Sequence, residues 1–314
     1  AHAQLAFGEP NGYADCSPMH YPTRVRLFDI DGDGKPDLVI PGRDRSNILN
    51  WARIIADGTI GPVQSITVEG QVDDVASADV DGDGAPELVL AIRAYAGRIQ
   101  VLHRGTNGQM VPYFSQAFDR EPRSIAVGDF NRDGLPDLAV TFYGSDHLAI
   151  LINNRVVDPP YCCGSGPPVQ FAALQRIRMD AWSGGISGPQ DVLAADLDGD
   201  GKTDLVVGCL GTRRFDVLFG NGDGTFRGPV SWLAPNIGDA TSPAVVGFSL
   251  ADIDGDGKPD IVAPLLSTTS QQPLVIFRND GRGNFPNPVM VGQAPSGYHW
   301  ACMTADLDRK STRL

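Results

Sequence analysis

Four carboxylates fall within nine residues at Asp29, Asp31, Asp33 and Asp37, with Gly34 at the sixth position. The arrangement returns at Asp79, Asp81, Asp83 and Glu87, at Asp129, Asn131, Asp133 and Asp137, at Asp196, Asp198, Asp200 and Asp204, and at Asp252, Asp254, Asp256 and Asp260. Carboxylates this close repel one another, and a merely solvated turn has no reason to crowd them repeatedly. A bound cation supplies the reason. Side chains at positions 1, 3, 5 and 9 can converge on one ion, position 7 offers a backbone carbonyl, and glycine at position 6 permits the sharp turn around it. An all-oxygen shell of roughly six to eight ligands in flexible geometry suits Ca2+, whereas Mg2+ prefers a tight octahedron and keeps its waters. The expectation is one calcium ion per complete loop, five in all.

An EF-hand shares the first six positions but needs a glutamate at position 12 and a helix on each side. Position 12 here is Ile40, Leu90, Val140, Val207 or Ala263, each inside an apolar run, so that alternative fails.

The elements that must hold these loops follow from their spacing. Complete loops begin at Asp29, Asp79, Asp129, Asp196 and Asp252 and an unfinished sixth at Asp306, at intervals of 50, 50, 67, 56 and 54 residues. A period of this size marks an array or a propeller. Each loop is preceded by a short alternating or apolar run (residues 24–28, 245–251) and followed by another (37–40, 204–207), as strands require. A third run follows (99–102, 149–152, 215–219, 274–277), then a turn rich in glycine and asparagine (220–224, 279–283), then a fourth run opening on Phe226 or Phe285. Four strands per repeat describe a blade, and the fold class expected is all-β, a β-propeller of four-stranded blades over residues 4–308.

These loops and their spacing resemble the FG-GAP/VCBS repeats, whose best-known members form the integrin-alpha-like seven-bladed propeller. The resemblance covers nearly the whole chain and implies seven blades in the full protein. It also implies that each calcium loop joins the first and second strands of its blade, opposite the usual ligand face. Glu87 and Asn131 depart from the family's aspartates and should alter affinity while keeping the metal. The 67-residue interval carries an insertion around Asp158–Trp182 that contains Cys162 and Cys163, either a strained vicinal disulfide or two unrelated thiols.

The ends carry their own expectations. Ala1, His2 and Ala3 read like the end of a secretion signal, which places the protein outside the cytoplasm, secreted or at the cell surface. Residues 5–10 resemble the fourth-strand segments at 226–229 and 285–288 and would close the ring. After Asp306, Leu307 and Asp308 the repeat stops, and residues 309–314 read as a non-native tail that truncates the C-terminal blades.

A net charge of −13 argues against a nucleic-acid partner, which needs clustered lysine and arginine. No apolar run approaches the roughly 20 residues of a membrane span. The five cysteines lack zinc-site spacing, and no nucleophile motif, zincin helix or phosphate loop is present. A non-catalytic binding or adhesion module therefore leads, with two alternatives standing: the propeller domain of a polysaccharide-active lyase or hydrolase, and a purely structural repeat array. In the family topology the loops of the ligand face contain Arg43, Arg45, Arg93, Tyr95, Arg120, Arg123, Tyr143, Arg213 and Arg214, with His20, Tyr21, Tyr298, His299 and Trp300. Arginine pairs bidentately with carboxylate or sulfate and aromatic rings stack on sugars, so the partner expected there is an anionic glycan or an extracellular protein, against the plainer reading of solvated loop arginines.

Overall fold

Short apolar runs punctuated by glycine-rich turns fold the described residues of this chain into strands. The computed structural model describes residues 26–41, 47–54, 59–94, 96–105, 108–142, 145–154, 170–172, 175–179, 188–209, 214–236, 244–245, 247–266 and 272–294. They hold 21 strands and no helix. Blade 1 is β1 (Arg26–Phe28), β2 (Asp37–Pro41), β3 (Ile48–Arg53) and β4 (Gln64–Thr67). Blade 2 is β5 (Gln71–Ala78), β6 (Glu87–Arg93), β7 (Arg98–Arg104) and β8 (Met110–Ala117). Blade 3 is β9 (Pro122–Gly128), β10 (Asp137–Phe142), β11 (His147–Leu151) and β12 (Gln175–Arg178). Blade 4 is β13 (Pro189–Ala195), β14 (Asp204–Cys209), β15 (Arg214–Leu218) and β16 (Val230–Leu233). Blade 5 is β17 (Ala244–Val245) and β18 (Ser249–Ala251), both paired with β19 (Asp260–Leu266), then β20 (Gln272–Phe277) and β21 (Val289–Ala294). Every sheet is an antiparallel meander in chain order. The architecture is a β-propeller of five four-stranded blades; the seven implied by the resemblance are not confirmed by these residues.

Alternation in the second strand of each blade glues blade to blade. In β6, Leu88, Leu90 and Ile92 enter a core shared with Val39, Leu49 and Trp51 of blade 1, while Val89 and Ala91 point the other way, to Leu138, Val140 and Phe142 of blade 3. The pattern recurs between blades 3 and 4, where Ala139 and Ile150 meet Leu205 and Val207, and between blades 4 and 5. A sheet covered on both faces needs near-continuous apolar strands, and β10 and β14 are buried at every position. At about 1.5–3 kcal/mol per fully buried aliphatic or aromatic side chain, these interfaces are the main store of stability.

Two expected runs differ in detail. The first strand of blade 5 is broken because Gly247 has φ 66°, a left-handed conformation that ends the extended run. Phe226 and Phe285 precede the outer strands instead of opening them. Phe226 makes one bridge to Gly220, and the Phe285 ring, 2% exposed, stacks edge-on to Phe215 at 5.5 Å. They are plugs of the inter-blade core.

Polar contacts fix the sheets in the half of β5, β9 and β13 that lies away from the acidic loops. Five residues before a loop, a side-chain oxygen accepts an N–H from the next blade: Ile125 donates to Asp74 (3.1 Å), Val192 to Ser124 (3.3 Å), and Gly247 to Asp191. Asp74 also takes Ser124 Oγ at 2.9 Å and the Arg26 guanidinium of blade 1 at 2.9 Å.

Candidate metal centres

Each acidic loop joins the first and second strands of its blade, so inner strands running the same way bring the loops to one end. Their backbone is set by their own carboxylates. In the first loop Asp29 Oδ1 accepts the N–H of Gly32 (2.7 Å) and Asp33 (3.1 Å), and Oδ2 that of Gly34 (2.8 Å); Asp31 Oδ1 accepts from Asp33 and Asp33 Oδ1 from Lys35. Such turns need left-handed residues, and Gly34, Gly84, Gly134, Gly201 and Gly257, all at position 6, have φ between 76° and 92°. Position 9 opens the second strand and reaches back: Asp37, Glu87, Asp137, Asp204 and Asp260 accept the N–H of Ile30, Val80, Phe130, Leu197 and Ile253 at 2.8–3.0 Å.

Four of the five loops gather three carboxylate oxygens within 4.8 Å of one another: Asp29, Asp31 and Asp33; Asp79, Asp81 and Glu87; Asp196, Asp198 and Asp204; Asp252, Asp254 and Asp260. Hard oxygen donors converging in this way fit a calcium ion. The third loop differs because position 3 is Asn131, whose amide donates to Asp133 Oδ2 at 2.8 Å and removes part of the repulsion an ion would relieve.

The electrostatics agree with crowded, half-dry carboxylates. Burial first, and Asp81 second, push Glu87 up to about 7. Burial likewise raises Asp137 and Asp204 to about 6 against the bonds they accept, and raises Asp37 and Asp260. At position 5 the opposite holds: Lys202 and Lys258 sit 2.6 Å and 2.9 Å from Asp200 and Asp256 and keep them below the usual carboxylate range. Arginines stand at position 3, Arg53 on Asp31, Arg227 on Asp198 at 3.2 Å and Arg278 by Asp254 at 3.8 Å. In the second loop a tyrosine takes that place. Tyr113 bonds to Asp81, stacks on His103 at 4.8 Å, and is pushed up to about 12 by burial and then by Asp81 and Glu87.

A family model described as an FG-GAP-like repeat matches residues 29–90, 79–140 and 196–263, together more than half the chain. The chain belongs to the FG-GAP-like repeat family. Each match runs from an acidic loop into the strands that follow it, so the FG-GAP-like repeats begin on the candidate ligands themselves. No curated protein is similar to the chain at a significant level. Among solved structures, the Photorhabdus luminescens Tc holotoxin pore is similar over 88% of this chain and 12% of that one, at 20% identity and a TM-score of 0.42.

Of the expected ligand-face residues, Arg43, Arg45, Tyr95, Tyr143, Arg213, His299 and Trp300 lie outside the described residues, as do His20, Tyr21 and Tyr298, the pair Cys162 and Cys163, and both chain ends. Arg93, Arg120, Arg123 and Arg214 lie at strand ends or turns away from the FG-GAP loops. Arg93 and Arg123 converge on Asp73 Oδ2 at 2.5 Å and 3.0 Å, Arg123 also donates to Gln190, and Arg214 pairs with Asp216 at 3.0 Å. Asp73 and Asp216 have fully buried side chains, so these guanidiniums neutralise interior charge. The residues that sequence reasoning missed are Tyr113 and two asparagines that bridge neighbouring loops, Asn153 and Asn279.

Proposed function

We propose that this chain is part of a secreted calcium-binding propeller that acts as a non-catalytic binding module, with calcium holding its blades in register. The observation that carries the reading is the convergence of three carboxylate oxygens in each of four loops. Asp29, Asp31, Asp33 and Asp37, and their counterparts in the other repeats, would hold the ions, with Asn131 altering the affinity of the third site. Calcium bound there supplies positive charge and fixed coordination, which offset the repulsion within each loop. Equilibrium dialysis of metal-stripped protein against calcium tests this directly: four to five ions are expected, and saturation below one per chain would end the metal reading.

The opposite face, with seven blades in the full protein, is the surface proposed for an extracellular protein or glycan. Arg93, Arg123 and Arg214 already serve Asp73 and Asp216, so the described cations of that face favour a protein partner over a strongly anionic glycan. A glycan array including uronic-acid and sulfated sugars separates the two: binding there restores the glycan, and silence leaves the protein partner.

A further inference from the structure

Position 9 is where one blade's loop meets the next blade. In the second loop Val80 N–H donates to Glu87 Oε2 at 2.9 Å, and the carbonyl of the same Val80 accepts from Asn153 Nδ2 at 2.8 Å. Asn153 belongs to blade 3, just beyond β11, and its backbone N–H donates at 2.8 Å to Asp137 Oδ1, position 9 of the third loop. Its amide also reaches the Pro136 carbonyl at 3.3 Å. One side chain thus closes a continuous hydrogen-bonded path from the Glu87 carboxylate, through the Val80 peptide and Asn153, to the Asp137 carboxylate.

Blade 5 repeats the path with different spacing. Leu197 N–H donates to Asp204 at 2.9 Å, the Leu197 carbonyl accepts from Asn279 Nδ2 at 2.9 Å, and Asn279 N–H donates to Asp260 Oδ1 at 2.9 Å. The Asn279 oxygen is itself held by the N–H groups of Gly281 (2.9 Å) and Gly283 (3.2 Å), which prevents the amide from turning. Between blades 3 and 4 the corresponding residue is Gly220. Its N–H bonds Asp204 at 2.8 Å, and the Phe130 carbonyl is met instead by the backbone N–H of Gly224 at 2.9 Å.

We infer that Asn153 and Asn279 are positioning residues that couple metal binding in the second loop to that in the third, and in the fourth to the fifth. The inference rests on the calcium reading above. Without an ion, repulsion works to splay the loop carboxylates; fixing position 9 of one loop fixes the asparagine N–H, the amide behind it, and the position-2 peptide that orients position 9 of the neighbour. An ion arriving at one loop therefore finds the adjoining loop already organised. Such coupling is reciprocal, and a contiguous bonded path between two-state elements is the physical means of carrying it.

Terbium in place of calcium tests it on the full chain. Tyr113 bonds to Asp81, so terbium luminescence excited through Tyr113, and lost in Tyr113→Phe, reports the second loop alone. Asp129→Asn weakens the third loop and is expected to weaken terbium at the second by about fivefold, the low end of ordinary site-to-site coupling. In an Asn153→Gly background, where blade 3 carries the residue blade 4 already folds with, that effect should vanish. A variant-free reading comes from the unsubstituted chain, whose Tyr113 signal should rise more steeply than a single-site isotherm. Equal weakening in both backgrounds, no weakening in either, or a single-site rise overturns the relay while leaving the metal sites standing. A chain with no Tyr113-dependent, calcium-displaceable signal overturns the metal reading, and the relay with it.

Discussion

Acidifying the metal-free protein from about pH 8 to about pH 5 should raise its stability, the reverse of ordinary acid denaturation. Glu87 carries the largest share. Its carboxyl is 2% exposed and is pushed from 4.5 to about 7, first by burial and then by Asp81. A carboxyl whose folded pKa lies above its unfolded one is penalised when ionised, so the penalty is fully present above about pH 7 and gone below the unfolded value of 4.5. At about 1.4 kcal/mol per unit, Glu87 alone recovers about 3 kcal/mol, a melting-temperature rise of about 6–12 °C in a single cooperative unit. Asp137 and Asp204, raised from 3.8 to about 6, add shares of similar size over a lower window. Asp200 and Asp256 are held below 3.8 and titrate beneath the range. Calcium reverses the slope, because it stabilises the ionised form and protons compete with it: below about pH 7 each unit should cost the second loop about tenfold in affinity. Melts at several pH values, in chelator and in about 2 mM calcium, read both slopes. In the chelated protein Glu87→Gln should remove the largest single share of the rise and leave those of Asp137 and Asp204; a midpoint falling steadily from about pH 8 to 5 would refute the account of the position-9 carboxylates.

At about 2 mM calcium and dissociation constants of about 10⁻³ to 10⁻⁴ M, each site should add roughly 0.6–1.8 kcal/mol, so chelation should lower the midpoint markedly and magnesium restore little of it. Asp254→Ala should remove the fifth loop's ion and, through Asn279, weaken the fourth loop as well, while leaving the first three at full affinity, read by dialysis against calcium. Asp74→Ala should cost about 3–5 kcal/mol in urea melts, since it strands the Arg26 charge and unties Ser124 and Ile125; a loss under about 1 kcal/mol would show the blade contact to be incidental. Phe215→Ala should cost about 3–5 kcal/mol by the same assay, because the fully buried ring holds Phe277 and Phe285 at 4.9 Å and 5.5 Å in the core between blades 4 and 5.

The parts of this structure that were legible in the sequence are those set by a period. Loop ligands recur at positions 1, 3, 5 and 9, and the strands around them alternate, so blade count within the described residues and loop placement follow from spacing alone. What joins blade to blade does not recur in that way. Asn153 lies 16 residues after Asp137 and Asn279 lies 19 after Asp260, while the equivalent residue in blade 4 is a glycine. In sequence Asn279 is one more turn residue. Arg93 and Arg123 looked like ligand-face cations because their partner is distant: Asp73 is 20 residues from one and 50 from the other. The usable signal is the charge of Asp73 and Asp74 between Val72 and Val75, both buried, since a carboxylate there needs a cation at hand.

The division of labour within an inner strand follows from the kinds of force available. Apolar contact between sheets is strong but non-directional, and a blade could slide along its neighbour with little loss of buried area. Hydrogen bonds to fixed atoms forbid that. The stitches occur at both ends of the inner strand: Asp74, Ser124 and Asp191 at one, the acidic loops with Asn153, Gly224 and Asn279 at the other. The first set is complete with protein atoms alone. The second gathers carboxylates whose repulsion works against the bonds they accept, so its rigidity depends on what neutralises them. A change at the loop end, whether of pH or of bound cation, should therefore loosen blade register there first while the Asp74 end holds, and hydrogen exchange at Val80, Phe130 and Leu197 should respond to chelation before exchange at Ile125 and Val192 does.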